Sequence, residues 1–257
     1  MTAPIVIKVG TGVLTRENGT LDSASLVKLV TAVAELHSSG QPCILVSSGA
    51  VGAGVSALGL TSYPEDVETR QAAAAIGQVR LMQKYESLFA AFELYAAQLL
   101  LTGPDLIKRK GLVSATIERL LTRGTIVPII NENDSVAIEE LRLGDNDTLS
   151  AHVAELVGAK KLILFTTVDG LLDEAGELIP EVADIGEVLN FARNESGKFS
   201  IGGMASKLQA VALATGKGTE VLIANGRKPE QLSDLAAGKG RRTRFAARVV
   251  TDEHQIL

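Results

Sequence analysis

Short apolar runs rich in Val, Ile and Leu alternate with longer stretches of helical periodicity from Ile5 to Ala246. Strands joined by helical crossovers pair in parallel, because the crossover returns the chain to the same end of the sheet. Such strands are covered on both faces and read as unbroken apolar runs. Ile5–Val9 is one, and 41–48, 94–101, TIVPII at 125–130, Lys161–Thr166, 220–224 and 243–246 repeat the pattern. Between the first two, Asp22 or Ser23 offers an N-cap. Leu26, Leu29, Val30, Val33 and Leu36 then follow helical spacing, and Gly40 ends the helix. Further helices are expected over 68–92, up to about Arg123, over 147–157 and over 203–215. Residues 136–143 break the rhythm and read as a small hairpin, and the polar stretch 193–200 reads as a mobile loop. The expected fold class is α/β, a three-layer sandwich with a mainly parallel central sheet and helices on both faces.

No linker or internal repeat divides the chain, so residues 1–257 are expected to form a single domain. At that length an α/β domain buries roughly three quarters of its unfolded surface. Hydrophobic residues make up 46% and charged residues 21%, which excludes a disordered or fibrous chain. A net charge of −5 argues against a nucleic-acid surface, which needs a clustered positive field. The one basic cluster, Lys239, Arg241, Arg242 and Arg244, reads as a solvated loop. Cys43 is the only cysteine, so no internal disulfide framework exists, and its place in PCILVSS suits a small buried filler. With no leader pattern and no apolar run of about 18 residues, a cytoplasmic protein without membrane contact is expected.

In open parallel sheets, ligands bind beyond the carboxyl ends of the strands. The glycine and polar clusters of this chain fall there: KVGTG after the first strand, SSGAVGAG after the second, NEND after TIVPII, and TTVDG after LILF. Glycines let backbone N–H groups approach phosphate, and a following helix N-terminus adds positive potential. The phosphate loop G-x-x-x-x-G-K-[ST] is absent, and the third glycine of a dinucleotide G-x-G-x-x-G would fall on Thr15.

Lys8 is the informative residue. A lysine at the end of an apolar strand costs desolvation unless an anion meets it, or unless it snorkels to water. NENDSVA at 131–137 and GDND at 144–147 add carboxylates and amides able to hold an amino group or organise a cation, although such residues also serve turns. GGMASK at 202–207 sets Lys207 in the first turn of a helix, where a cation is disfavoured unless an anion shares the site.

Taken together, KVGTGVL at 8–14, VSSGAVGAG at 46–54, RQAAAAIGQ at 70–78, PIINENDSVA at 128–137, GDNDTLSA at 144–151 and GGMASKLQA at 202–210 resemble the amino acid kinase family. They run in the family's order, and NEND followed by GDND resembles its glutamate kinase branch. The C-terminal PUA domain of many members has no counterpart, as in the shorter members. The resemblance implies the carbamate kinase-like fold and assigns roles. Lys8 and Lys207 would contact the transferring phosphoryl group, with Asp147 holding both lysines in register. Ser48, Gly49, Asp134 and Asn146 would bind glutamate. Lys8, Gly10, Thr166, Thr167 and the segment Ile201, Gly202, Gly203, Met204, Ala205, Ser206 and Lys207 would line the nucleotide site. Glycines 10, 49 and 52 would let backbone close on phosphate or substrate. The chain departs from the family at Thr167, where aspartate is usual, at Leu172, often an aromatic, at Ile201, usually threonine, and in KGLVSAT at 110–116.

The implied reaction is ATP plus L-glutamate giving L-glutamyl 5-phosphate and ADP, the first step of proline synthesis, with ATP and Mg²⁺ required. A carboxylate with a reference pKa of about 4.3 is already an anionic nucleophile, so no general base is needed, and none of His37, His152 and His254 lies in a motif. Magnesium held by phosphate oxygens and water needs no protein cage, and none is expected. Proline as feedback inhibitor and a homo-oligomer, dimer or tetramer, are further family expectations. The alternatives are a kinase of this fold acting on acetylglutamate, aspartate, carbamate, UMP or isopentenyl phosphate, and a non-catalytic amino acid or nucleotide sensor.

Overall fold

A computed structural model describes residues 2–136, 145–173, 175–186, 188 and 203–248. The elements are β1 (Ile5–Val9), α1 (Thr11–Leu14), α2 (Ser23–Ser38), β2 (Cys43–Ser47), α3 (Ala50–Val55), α4 (Val67–Ala90), β3 (Tyr95–Leu101), α5 (Gly103–Lys108), α6 (Lys110–Leu121), β4 (Ile126–Glu132), α7 (Asn146–Leu156), β5 (Lys161–Thr166), β6 (Glu181–Val182), α8 (Met204–Gly216), β7 (Glu220–Asn225), α9 (Leu232–Ala236) and β8 (Arg242–Phe245). The strands form one sheet in the order β3-β4-β2-β1-β5-β7-β8-β6. Every pairing is parallel except β7 with β8, as the strand–helix alternation requires.

Strand β1 occupies the centre, with Lys8 beside Val46 of β2 and Leu164 of β5. Successive crossovers leave β1 in opposite directions, so a crevice opens at the carboxyl ends of the central strands. Alternation along β1 separates two cores. Ile5, Ile7 and Val9 join Leu26, Leu29 and Val33 of α2, Leu81, Tyr85 and Phe89 of α4, and Leu232 and Leu235 of α9. Val6 joins Ile117 of α6, Leu149 and Val153 of α7, and Leu208 and Val211 of α8. Lys8 has the parity of Val6, which puts it on the face that carries α7 and α8.

Several boundaries differ from those read in the sequence, and each has a local cause. Strand β4 runs through Asn131 and Glu132, so NEND begins inside the strand. The helix anticipated up to about Arg123 is two: α5 opens with a capping box between Thr102 and Asp105, and the chain bends at Arg109 before α6. The short β6 and α9 lack enough residues to show periodicity. The glycine cluster SSGAVGAG is largely helical, with Gly49, at φ 102°, capping α3. The hairpin expected at 136–143 and the loop at 193–200 lie outside the described residues, Val136 apart.

Of the basic cluster, Lys239 and Arg241 are exposed in the loop before β8, as expected, whereas Arg242 and Arg244 lie within the strand. Arg241 Nε donates to Asp169 Oδ2 at 2.7 Å, and Arg244 bridges Glu220 at 2.7 Å and Glu181 at 2.5 Å. Arg242 donates to the carbonyls of Gly238 and Gly240. Arg244 thereby ties β8 to both neighbouring strands, β7 and β6. Cys43 is fully buried, and burial pushes its thiol up to about 12, so it is an inert apolar filler. His37 is also buried, its Nδ1 accepting the Cys43 N–H and its Nε2 meeting the Gly124 carbonyl, which pins α2 to the sheet.

Helices α3 and α4 approach so closely that side chains are excluded from their crossing. A Cβ on Gly77 would lie 1.7 Å from the Ala50 carbonyl oxygen, and one on Gly54 would lie 1.9 Å from that of Ala73. The small residues of both helices are therefore a packing requirement. Gly77→Ala is expected to destabilise the fold by about 1–3 kcal/mol, the cost of overpacking, as measured by urea unfolding. Gly111→Ala, where a Cβ meets no atom within 4 Å, is expected to be neutral or stabilising.

Candidate active site

The carboxyl ends of β1, β2, β4 and β5 and the first turns of α3 and α7 enclose a cleft of about 460 Å³. At one wall Lys8 Nζ lies 2.6 Å from Asp147 Oδ1, and Lys207 Nζ lies 3.1 Å from Asp147 Oδ2. Asp147 is fully buried, and Lys8 and Lys207 are 4% and 7% exposed. Three charges are thus withdrawn from water together. Burial pulls the Lys8 ammonium below the ordinary lysine range, the Asp147 carboxylate opposes this, and the neighbouring Lys207 adds to it.

The two helices explain how the triad is held. Asp147 sits in the first turn of α7, where the helix dipole favours a carboxylate, and Lys207 sits in the first turn of α8, where it disfavours a cation. The ion pair joins these opposite preferences across the two helix starts. Asp145 caps α7, accepting the N–H groups of Asp147 and Thr148 on Oδ1 and the Ser206 hydroxyl on Oδ2. Burial opposes ionisation of Asp145. The Ser206 hydroxyl, the Thr148 amide and both lysines outweigh it and hold the carboxyl below the usual range.

Amides, a hydroxyl and carboxylates line the rest of the polar surface. Asn146 Nδ2 donates to Asn131 Oδ1 at 2.8 Å, to Ser48 Oγ at 2.9 Å and to the Ser47 carbonyl at 3.3 Å. Its Oδ1 is buried without a hydrogen-bond partner among the described residues. Glu132 and Asp134 also line the cleft. Gly10, Ser48, Gly49, Gly52, Thr166 and Thr167 complete the lining of the cleft, and the methyl of Thr167 would lie 3.1 Å from a Cβ on Gly12.

The structure brings Lys8, Gly10, Ser48, Gly49, Asp134, Asn146, Thr166, Thr167 and Lys207 into one cleft, with Asp147 beneath its two lysines. Of the anticipated nucleotide segment, Ile201 and Gly202 lie outside the described residues, and Gly203 to Ala205 do not line the cleft. Ser206 points instead to Asp145. Asn131, Glu132 and Asp145 line the cleft but received no individual role within the NEND and GDND segments. The aspartate immediately before α7 carries an N-cap signature that points to Asp145, whereas nothing local distinguishes Asn131 from a turn residue.

A profile of the amino acid kinase family matches residues 3–225. The chain belongs to the amino acid kinase family. Among curated relatives of this amino acid kinase, glutamate 5-kinase of Clostridium acetobutylicum is 42% identical over 240 residues, covering 90% of each chain. Glutamate 5-kinase of Symbiobacterium thermophilum is 42% identical over 250 residues, covering 94% of this chain and 95% of its own. Among solved structures, carbamate kinase from Giardia lamblia bound to AMP-PNP superposes with a TM-score of 0.67 at 15% identity, covering 96% of this chain and 99% of its own. UMP kinase from Ureaplasma parvum gives 0.62 at 16%, covering 95% and 100%. At such identities these structures speak for the fold alone.

In this amino acid kinase, removal of the central charge deprives two buried ammonium groups of the carboxylate they share. Asp147→Asn is expected to destabilise the protein by about 3–5 kcal/mol near neutral pH. The remaining lysines gain by losing protons, so the folded variant binds fewer protons than its unfolded chain and its deficit shrinks as pH rises from 7 to 9. Thermal unfolding of both proteins across that range measures it; a deficit that stays constant removes the electrostatic cause.

Proposed function

We propose that this chain transfers the terminal phosphoryl group of ATP to the side-chain carboxylate of L-glutamate, giving L-glutamyl 5-phosphate and ADP, the first step of proline synthesis. The observation that carries this reading is the Lys8–Asp147–Lys207 triad sharing one cleft with Ser48, Asp134 and Asn146. Glutamate 5-kinases at 42% identity over most of the chain support the choice of acceptor.

The chemistry asks little of acids and bases. A glutamate carboxylate is anionic at neutral pH, so an oxygen of it attacks the γ-phosphorus directly while the bond to the bridging oxygen of ADP breaks. The obstacle is repulsion between acceptor and triphosphate. In this reading Lys8 and Lys207 neutralise the phosphoryl oxygens, and Asp147 fixes the distance between the two ammonium groups. The N–H groups around Gly10 and Gly49 approach phosphate or substrate at close range. Ser48, Asn146 and Asp134 orient the amino acid, with Asp134 a partner for its ammonium group.

Thr166, Thr167 and the start of α8 hold the nucleotide; Ile201 and Gly202 extend that segment. Bound Mg²⁺ supplies charge neutralisation on the phosphates. Among the described residues no three metal-ligating side chains gather, and Asp145 and Asp147 are engaged by Ser206, amides and lysines. In this reading the ion would be held largely by the nucleotide's phosphate oxygens and water. A single domain, a cytoplasmic location, a homo-oligomeric assembly and inhibition by proline belong to the same reading. No described helix is long and apolar enough to cross a membrane.

ADP release measured with glutamate, acetylglutamate, aspartate, carbamate and UMP as acceptors tests the assignment, and is expected only with glutamate. Faster release with any other acceptor overturns it. Lys8→Ala and Lys207→Ala are each expected to lower kcat by about 10²–10³ while the protein stays folded, and near-normal turnover in either sinks its role. Asp134→Ala is expected mainly to raise the glutamate KM, and an unchanged KM places Asp134 outside the substrate shell.

A further inference from the structure

Asn146 is the end of a chain of side-chain amides that begins on the surface. Gln98, on the edge strand β3, accepts a hydrogen bond from Gln78 Nε2 at 2.9 Å. Gln78, on α4, in turn accepts one from Asn131 Nδ2 at 3.0 Å. Asn131 Oδ1 then accepts from Asn146 Nδ2 at 2.8 Å, and Asn146 donates onward to Ser48 Oγ. Gln78 and Asn131 are 8% and 3% exposed, so water does not compete along the middle of the chain.

An amide side chain has two nearly identical orientations with opposite hydrogen-bonding sense, and the surroundings decide between them. Here two backbone groups decide, and they agree: the Ser47 carbonyl takes an N–H of Asn146 at 3.3 Å, and the Glu132 N–H settles Asn131 and with it Gln78. The Glu132 N–H donates to Asn131 Oδ1 at 2.9 Å, which fixes that atom as oxygen. Asn131 must then present its NH₂ to Gln78, and Asn146 must present its own NH₂ to Asn131. The consequence falls on the cleft side: Asn146 keeps its Oδ1 unspent, as an acceptor and never as a donor.

We infer that Gln78 is a positioning residue for the amino acid substrate, acting through Asn131 to hold Asn146 and Ser48 in the orientation that receives it. This inference rests on the reading that Asn146 and Ser48 bind that substrate. Gln78 lies on α4, whose neighbours Ala73, Ala74 and Gly77 serve packing, and it lines no part of the cleft. Its buried carbonyl oxygen accepts the Asn131 NH₂. Without it, that buried donor is unpaired unless Asn131 turns over, and turning over sets its NH₂ against both the Glu132 N–H and the Asn146 NH₂.

Steady-state kinetics of Gln78→Met and Gln78→Glu with ATP and glutamate test this. Methionine keeps the length and removes the acceptor, so the glutamate KM is expected to rise about tenfold while kcat and the ATP KM stay within about twofold. Glutamate restores an acceptor oxygen toward Asn131, and Gln98 turns to face the other oxygen, so its glutamate KM is expected to return to within about threefold of the unmodified protein. If the methionine variant does not fold, Gln78→Ala, in a helix segment already rich in alanine, replaces it with the same expectation. A glutamate KM within twofold in the folded acceptor-less variant overturns the inference. So does an equal rise in both KM values, or a glutamate variant as impaired as methionine. Asn146→Ala, measured alongside, separates the two readings. A raised KM there with an unchanged one at Gln78 removes only the role of Gln78, and unchanged values in both remove the substrate shell as well.

Discussion

Asp147 holds two buried ammonium groups at the carboxyl end of the central strand, Lys8 at 2.6 Å and Lys207 at 3.1 Å, and the surrounding architecture serves that contact. Desolvating three charges costs several kcal/mol each before any attraction is counted, so the triad is no natural stabiliser. It persists because the helix starts of α7 and α8 meet there, and because Asp145 and Ser206 lock those starts to each other. The cost makes chemical sense if a second anion completes the cluster. A phosphoryl group in flight spreads negative charge over several oxygens, and two fixed ammonium groups meet it without reorganising.

Topology decides where this is possible. The first strand lies between β2 and β5, so its carboxyl end faces the crevice from the middle of the sheet. Parity then places Lys8 with Val6 toward α7 and α8, whereas a shift of one residue would aim it at the aliphatic core beneath α2 and α4. The segment IVIKV, apolar except for Lys8, is therefore both the sheet's central strut and the carrier of its charge.

Much of this was legible in the sequence, for reasons that stop at identifiable residues. Strand and helix periodicity gave the mainly parallel sheet, and a lysine ending an apolar strand marked the site. The pairing of Lys207 with Asp147, 60 residues apart, came only through family resemblance, since spacing carries no information about such a contact. Glycine runs were read as cradles for phosphate, and Gly49 and Gly52 do line the cleft. Gly54 and Gly77 instead answer to the crossing of α3 and α4, a tertiary demand with no local signature. Arg244 of the C-terminal cluster looked like part of a solvated loop because its carboxylate partners, Glu181 and Glu220, are scattered along the chain. The amides Gln78 and Asn131, 53 residues apart, were invisible as a pair for the same reason.

In the proposed reading, the two sides of the cleft solve different problems with different chemistry. Charge on the phosphate side must be strong, and a spread phosphoryl group tolerates ammonium donors that act as point charges. An amino acid, by contrast, has to be held in one orientation, and point charges supply little orientation. Directional amides do, provided their own sense is fixed. An isolated Asn146 could rotate by half a turn and exchange acceptor for donor at almost no cost. The Ser47 carbonyl directly, and the Glu132 N–H through Asn131, remove that freedom with groups that carry no net charge. Orientation is thereby secured without adding a further ion to a cluster that already strains the limits of burial.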